Sequence, residues 1–148
     1  MRKVFTSTFL FPDVNVWLAL AHEIHPHHPS AIAWGSSLDN DAAVYFCRFT
    51  QLGLLRLLTS QSAMGHEVLS QSQAWAVYDA FLANSGNRMM EEPAGIDPLF
   101  RQFTGGNQAS TKLWADAYLA AFAQAANLTL VTFDRALAGR LRGAVLLQ

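Results

Sequence analysis

The chain has 148 residues, of which 51% are hydrophobic and 14% charged. That length suits a single domain over residues 1–148, and the apolar content excludes a disordered chain. One cysteine excludes an internal disulfide framework, a net charge of −1 lacks the basic excess usual in nucleic-acid binders, and no apolar run reaches the roughly 18 residues of a membrane span.

Met1-Arg2-Lys3-Val4 is basic and leads into an apolar stretch, as a secretion signal does. Pro12 and Asp13 cut the stretch short and no small-residue cleavage site follows, so it reads as the first strand of a cytoplasmic protein. Phe9-Leu10-Phe11 is the apolar run that Pro12 ends. Val14 to Ala21 reads as a helix, residues 25–29 as a proline-containing loop, and Ser30 to Leu38 as a second helix. Ala43 to Cys47 is continuous in apolar character, as a buried strand is. Thr50 to Thr59 has helical spacing through Leu54, Leu55 and Leu58, and Ser70 to Ala83 through Trp75, Tyr78 and Leu82. Met89-Met90 suits a short strand, and Ile96 to Phe103 a short helix. Gly105-Gly106-Asn107 breaks the chain before a long helix, Thr111 to Ala126, capped by Ser110 or Thr111. Leu128 to Phe133 is a strand, Arg135 to Leu141 a short helix, and Ala144 to Leu147 a last strand. This alternation predicts an α/β fold with a mostly parallel sheet.

The chain has only seven Asp and four Glu, so their placement is informative. Asp13 ends the first strand and Asp134 ends Leu128–Phe133. In parallel α/β sheets ligands bind outside the carboxyl ends of strands, so the two acids can converge. Either could equally be a helix N-cap. Asp116 lies in an apolar helix, where a carboxylate is costly without a partner or a metal. Lys112, four residues earlier, offers a plain ion pair instead. Hard divalent cations need oxygen ligands, and Mg²⁺ takes one or two carboxylates and keeps several waters. Asn15, two residues after Asp13, could orient a carboxylate or a water. The basic residues are eight Arg and two Lys, and Arg48, Arg56 and Arg135 are candidate phosphate contacts, if they are not simply solvated.

Pro12-Asp13-Val14-Asn15-Val16-Trp17-Leu18-Ala19-Leu20 resembles the opening strand and helix of PIN domains, specifically the VapC-like toxins of bacterial toxin–antitoxin pairs. Trp114-Ala115-Asp116-Ala117-Tyr118-Leu119-Ala120 resembles their third acidic segment, and Thr132-Phe133-Asp134-Arg135 their fourth. The order and separations fit from about Phe9 to Leu147. The resemblance implies a three-layer α/β/α sandwich around a central, mostly parallel five-stranded sheet. It implies a metal-dependent endoribonuclease using Mg²⁺ or Mn²⁺, with RNA as substrate, a small antitoxin as partner and a homodimeric assembly. Asp13, Asp116 and Asp134 would be metal-binding and catalytic, supported by Asn15 and Thr132; cleavage would leave a 5′-phosphate and a 3′-hydroxyl. The sequence departs from the family in one place. Relatives show T-E-x-G after the second strand, and here the segment is Thr50-Gln51-Leu52-Gly53. Gln51 would stand in the catalytic set where Glu is usual, offering an oxygen but no charge; a different alignment puts Gly53 there, and either way the carboxylate is missing.

His22, His25, His27 and His28 crowd seven residues and invite a zinc site, but they lack the regular helical spacing of a zincin and read as a solvated loop. The four tryptophans fit core or dimer surface and are not spaced as a base-stacking platform. Phosphotransferases of the haloacid dehalogenase type also start from a strand-end Asp. Their second acid falls where Asn15 stands, and the late lysine they need is missing after Lys112. The other competing reading is a catalytically weak PIN module that acts by binding RNA or protein.

Overall fold

The computed structural model describes residues 9–148. The part of the first strand expected before Phe9 lies outside them. The elements run β1 (Phe9–Pro12), α1 (Val14–Ala21), α2 (His28–Ser36), β2 (Ala43–Phe46), α3 (Arg48–Leu58), α4 (Gln61–Met64), α5 (Gln71–Ala83), β3 (Asn87–Met89), α6 (Ile96–Phe103), α7 (Thr111–Ala126), β4 (Thr129–Thr132), α8 (Arg135–Ala138) and β5 (Val145–Leu146).

The strands form one sheet in the order β3-β2-β1-β4-β5, and every neighbouring pair is parallel. Among the described residues the sheet is parallel throughout. Successive strand residues face opposite sides, as the pleat requires. Leu10 and Val131 join Trp17, Phe46, Leu54 and Tyr78 on one side. Phe11 and Leu130 join Leu119, Phe122 and Leu137 on the other. These two cores make the three layers, helix–sheet–helix. Trp17 stacks on Phe46 at 3.7 Å between centroids, and Phe11 stacks on Phe122 at 4.8 Å. On α7, Ala117, Ala120, Ala121 and Ala123 have no exposed surface, so small side chains bring that helix close to the sheet.

The strand order positions the site. The chain winds from β1 outward through β2 to β3, then returns to the other side of β1 with β4 and β5. The reversal falls between β1 and β4, and the crevice at their carboxyl ends is where open α/β sheets bind ligands. Asp13 and Asp134 leave the sheet at that crevice.

Several boundaries move. Helix α2 starts at His28 rather than Ser30, because Pro29 fits the first helical turn, where its missing N–H costs nothing. Helix α3 starts at Arg48 rather than Thr50. The Cys47 amide donates to Thr50 Oγ1 at 2.9 Å, a reciprocal cap that opens the helix early. Strand β3 covers Asn87–Met89, not Met89-Met90, and α8 stops at Ala138. Helix α4, capped by the Ser60 hydroxyl, and a 3₁₀ turn at Gly65–Glu67 were not expected. Among the described residues no helix is long and apolar enough to cross a membrane.

Gly53 ties α3 to α1. A Cβ at this position would sit 2.6 Å from Val14 Cγ2 and 3.2 Å from Val14 Cγ1. Val14 is β-branched and stiff at χ1, and it directly follows Asp13. Gly53→Ala should therefore destabilise the protein by about 1–2 kcal/mol, because overpacking outweighs the better helix propensity of Ala. Urea denaturation measures this, and a gain in stability would refute the close approach.

Candidate active site

Asp13 ends β1 with extended backbone and caps α1. Its Oδ1 accepts from the amides of Asn15 at 2.9 Å and Val16 at 3.4 Å. Its Oδ2 accepts from the Thr132 hydroxyl at 2.5 Å. The residue is 6% exposed, and burial pushes its carboxyl above the ordinary 3.8 even though the Thr132 bond and the amides pull it down. Asn15 helps through its backbone amide, which any residue could supply, and is itself exposed. Among the described residues the Asn15 contact to Asp13 is this backbone amide.

Thr132 joins the two strand ends. It is fully buried, donates to Asp13, and accepts from the Asp134 amide at 2.9 Å. Asp134 in turn caps α8: its Oδ1 takes the amides of Ala136 at 2.9 Å and Leu137 at 3.2 Å. Its Oδ2 is left for a side-chain partner, Lys112 Nζ at 2.8 Å. The Lys112 bond, first, and then the amides hold the Asp134 carboxyl below the usual carboxylate range.

Asp116 lies in the body of α7 and is 9% exposed. Lys112 Nζ stands 3.8 Å from its Oδ2, so one ammonium bridges Asp116 and Asp134. Burial raises the Asp116 carboxyl; Lys112 lowers it, Asp134 raises it, and Arg140 lowers it. The plain i,i+4 pair expected for Lys112 is thus its weaker contact. Sequence reasoning does not reach Lys112 and the nearby Arg140 as site residues: nothing in the sequence signals a contact across 22 positions, and Arg140 follows Gly139 with no motif around it.

The result is one connected chain: Asp13, Thr132, Asp134, Lys112, Asp116. It fits a hard divalent cation, since three carboxylates supply oxygen ligands and two of them are charges buried at a cost. Among the described residues no three acids, histidines or cysteines stand close enough together to hold a metal ion as they are. One or two direct carboxylates with water would suffice for Mg²⁺.

The other expected residues fall outside that chain. Gln51 is buried and accepts from Arg48 Nη1 at 2.6 Å, with the Tyr78 phenol beside it. Among the described residues no bond links Gln51 to an acid of the network. Arg48 is exposed and borders a groove of about 750 Å³ walled by Phe49, Leu52, Trp114 and Tyr118. Arg135 is exposed beside Asp134, while Arg56 sits in the last turn of α3, about 12 Å along the helix from Arg48. Trp17 is core, but Trp75 and Trp114 are 48% and 57% exposed. Cys47 is buried, as expected. In the histidine segment, His22 is buried, His28 Nδ1 lies 2.7 Å from the Ala19 carbonyl, and His27 stacks on Phe133 at 4.2 Å.

A family model of the PIN domain matches residues 10–140. The chain belongs to the PIN-domain family. This PIN domain is 41% identical to ribonuclease VapC41 of Mycobacterium tuberculosis over 131 residues, covering 86% of this chain and 90% of that protein. Two solved structures share its fold. VapBC2 from Rickettsia felis, bound to a DNA fragment from its promoter, aligns with a TM-score of 0.65 at 16% identity, over 93% of this chain and 96% of that one. VapC20 of M. tuberculosis, a Sarcin-Ricin loop cleaving toxin, aligns with a TM-score of 0.62 at 15% identity, over 88% and 93%.

Proposed function

We propose that this PIN domain is the ribonuclease toxin of a toxin–antitoxin pair, hydrolysing RNA with Mg²⁺ or Mn²⁺ held by Asp13, Asp116 and Asp134. The observation that carries the reading is the acidic network at the β1/β4 switch point, in a chain 41% identical to a named ribonuclease. A bound divalent ion would activate water and stabilise charge on a scissile phosphate. The protein's own part is preorganisation. Backbone amides fix Asp13 Oδ1 and Asp134 Oδ1, and Thr132 locks the two strand ends together. Arg48 and Arg135, both exposed at this end of the sheet, supply charge for phosphate oxygens. Gln51 holds Arg48 in place, which gives it a positioning role without a carboxylate. The antitoxin and homodimer belong to the same proposal; the VapBC2 likeness and the exposed Phe49, Leu52 and Trp114 support a covered surface.

The direct test is purified, antitoxin-free protein incubated with total bacterial RNA and Mg²⁺, Mn²⁺ or EDTA. Discrete bands that need the metal support the proposal. Folded protein that binds RNA and cuts nothing with either metal would instead make it a binding module.

The pH behaviour gives a second check. Burial raises Asp13 and Asp116, so their contribution to stability is complete below 3.8 and is lost as pH rises through their folded values. Asp134 is lowered, so its contribution is present above 3.8 and is lost as pH falls through its folded value. Near neutral pH the two buried carboxylates are a load that a cation relieves. Mn²⁺ should therefore raise the melting temperature more at about pH 7.5 than at about pH 4.5, where protons compete for the same oxygens. A shift independent of pH would count against these ligands.

A further inference from the structure

Lys112 contacts two of the three acids through one atom. Its Nζ is 2.8 Å from Asp134 Oδ2 and 3.8 Å from Asp116 Oδ2. The choice of oxygen matters. Asp134 Oδ1 is occupied by two amides at the start of α8, so Oδ2 is the oxygen turned toward other partners. The Asp134 oxygen that carries no backbone amide is the one that Lys112 holds. Two positive charges sharing that oxygen repel each other, and Arg140 adds a third that already acts on both Lys112 and Asp116. Lys112 can leave easily: its side chain is 65% exposed, in the first turn of α7, on a flexible stem.

We propose that Lys112 is a built-in counter-ion that occupies the divalent cation's place between Asp116 and Asp134 and yields it when the ion binds, so that this lysine sets the metal affinity of the site. The inference rests on the reading of these acids as metal ligands. It makes Lys112 a positioning residue that keeps the metal-free carboxylates compensated and makes the ion compete for entry. Removing the ammonium leaves the carboxylates in place and removes the competitor.

The test is Mn²⁺ titration followed by EPR of the free ion, at fixed pH and low salt, on the intact chain. Wild type, Lys112→Met, Lys112→Arg and Asp134→Asn are compared, with circular dichroism to confirm folding. Lys112→Met keeps the stem and should bind Mn²⁺ about three- to tenfold more tightly, while Lys112→Arg keeps the charge and should stay within about twofold of wild type. Asp134→Asn should bind far more weakly. The Mn²⁺-induced rise in melting temperature should also be larger in Lys112→Met. Equal or weaker Mn²⁺ binding by Lys112→Met, alongside normal binding by wild type, overturns the proposal and leaves the metal site standing. Undetectable binding by both wild type and Lys112→Met, in folded protein, removes the metal site itself and the proposal with it.

Discussion

Asp116→Asn should abolish metal-dependent RNA cleavage, lowering the rate by more than the roughly hundredfold that changes outside the ligand set typically cost. The same substitution should leave the metal-free protein as stable as wild type or more so. That combination follows from where the acid sits. Asp13 and Asp134 each accept two backbone amides as caps, so replacing them mixes lost function with lost capping. Asp116 caps nothing; it projects from the middle of α7 and is 9% exposed. Its folded carboxyl is raised above 3.8 by burial, so near neutral pH its charge weakens the fold. Asparagine removes the charge and keeps the shape. What it gives up is a 3.8 Å contact to a lysine that is two-thirds exposed, and such pairs contribute little. Cleavage assays with Mn²⁺, paired with urea denaturation in EDTA, check both halves. Retained cleavage would remove Asp116 from the site. A clear loss of stability in EDTA would make it a structural residue.

That a residue weakens the fold while serving the site is the usual mark of a functional position. It also explains why Asp116 was visible in the sequence: a carboxylate in an apolar helix breaks the pattern of its neighbours. Asp13 and Asp134 were visible for a different reason. Each stands where a strand gives way to a helix, and that junction needs an N-cap whether or not a ligand is present. The caps, set by sequence as the alternative to a functional role, are present in the structure and use only part of each carboxylate. One carboxylate oxygen of each residue serves the helix and the other faces a side chain.

The parts that were not legible share a physical cause. Lys112 and Asp134 are 22 residues apart, and Gln51 meets Tyr78 across an α3–α5 contact, so neither pairing leaves a local signature. The i,i+4 spacing of Lys112 and Asp116 was real but pointed to the weaker contact. Gln51 stands in the catalytic set by its position in a family pattern; the side-chain hydrogen bond it makes depends on Arg48, which that pattern does not contain. Helix α4 spans four residues, too few for a hydrophobic period to register. Helices α1, α6 and α7 match the expected boundaries, because each carries its own cap or breaker beside its apolar positions.

Thr132→Val should be the most damaging substitution outside the acids. The side chain is fully buried, and its hydroxyl both donates to Asp13 Oδ2 and accepts from the Asp134 amide. Valine fills the same space and satisfies neither. Losing a hydrogen bond to a charged acceptor and stranding an amide should cost about 1.5–3 kcal/mol. The direction of the electrostatic effect is also fixed. The Thr132 bond is the largest influence holding the Asp13 carboxyl down against burial, so without it the carboxyl rises further and binds a cation less readily near neutral pH. Mn²⁺ affinity should fall about 10- to 100-fold, the range seen when groups that orient metal ligands are removed. Thr132→Ser restores the hydroxyl without the methyl and should recover most of the Mn²⁺ affinity while remaining somewhat less stable. Valine that destabilises the protein but binds Mn²⁺ as wild type does would show that the link between β1 and β4 serves the fold alone.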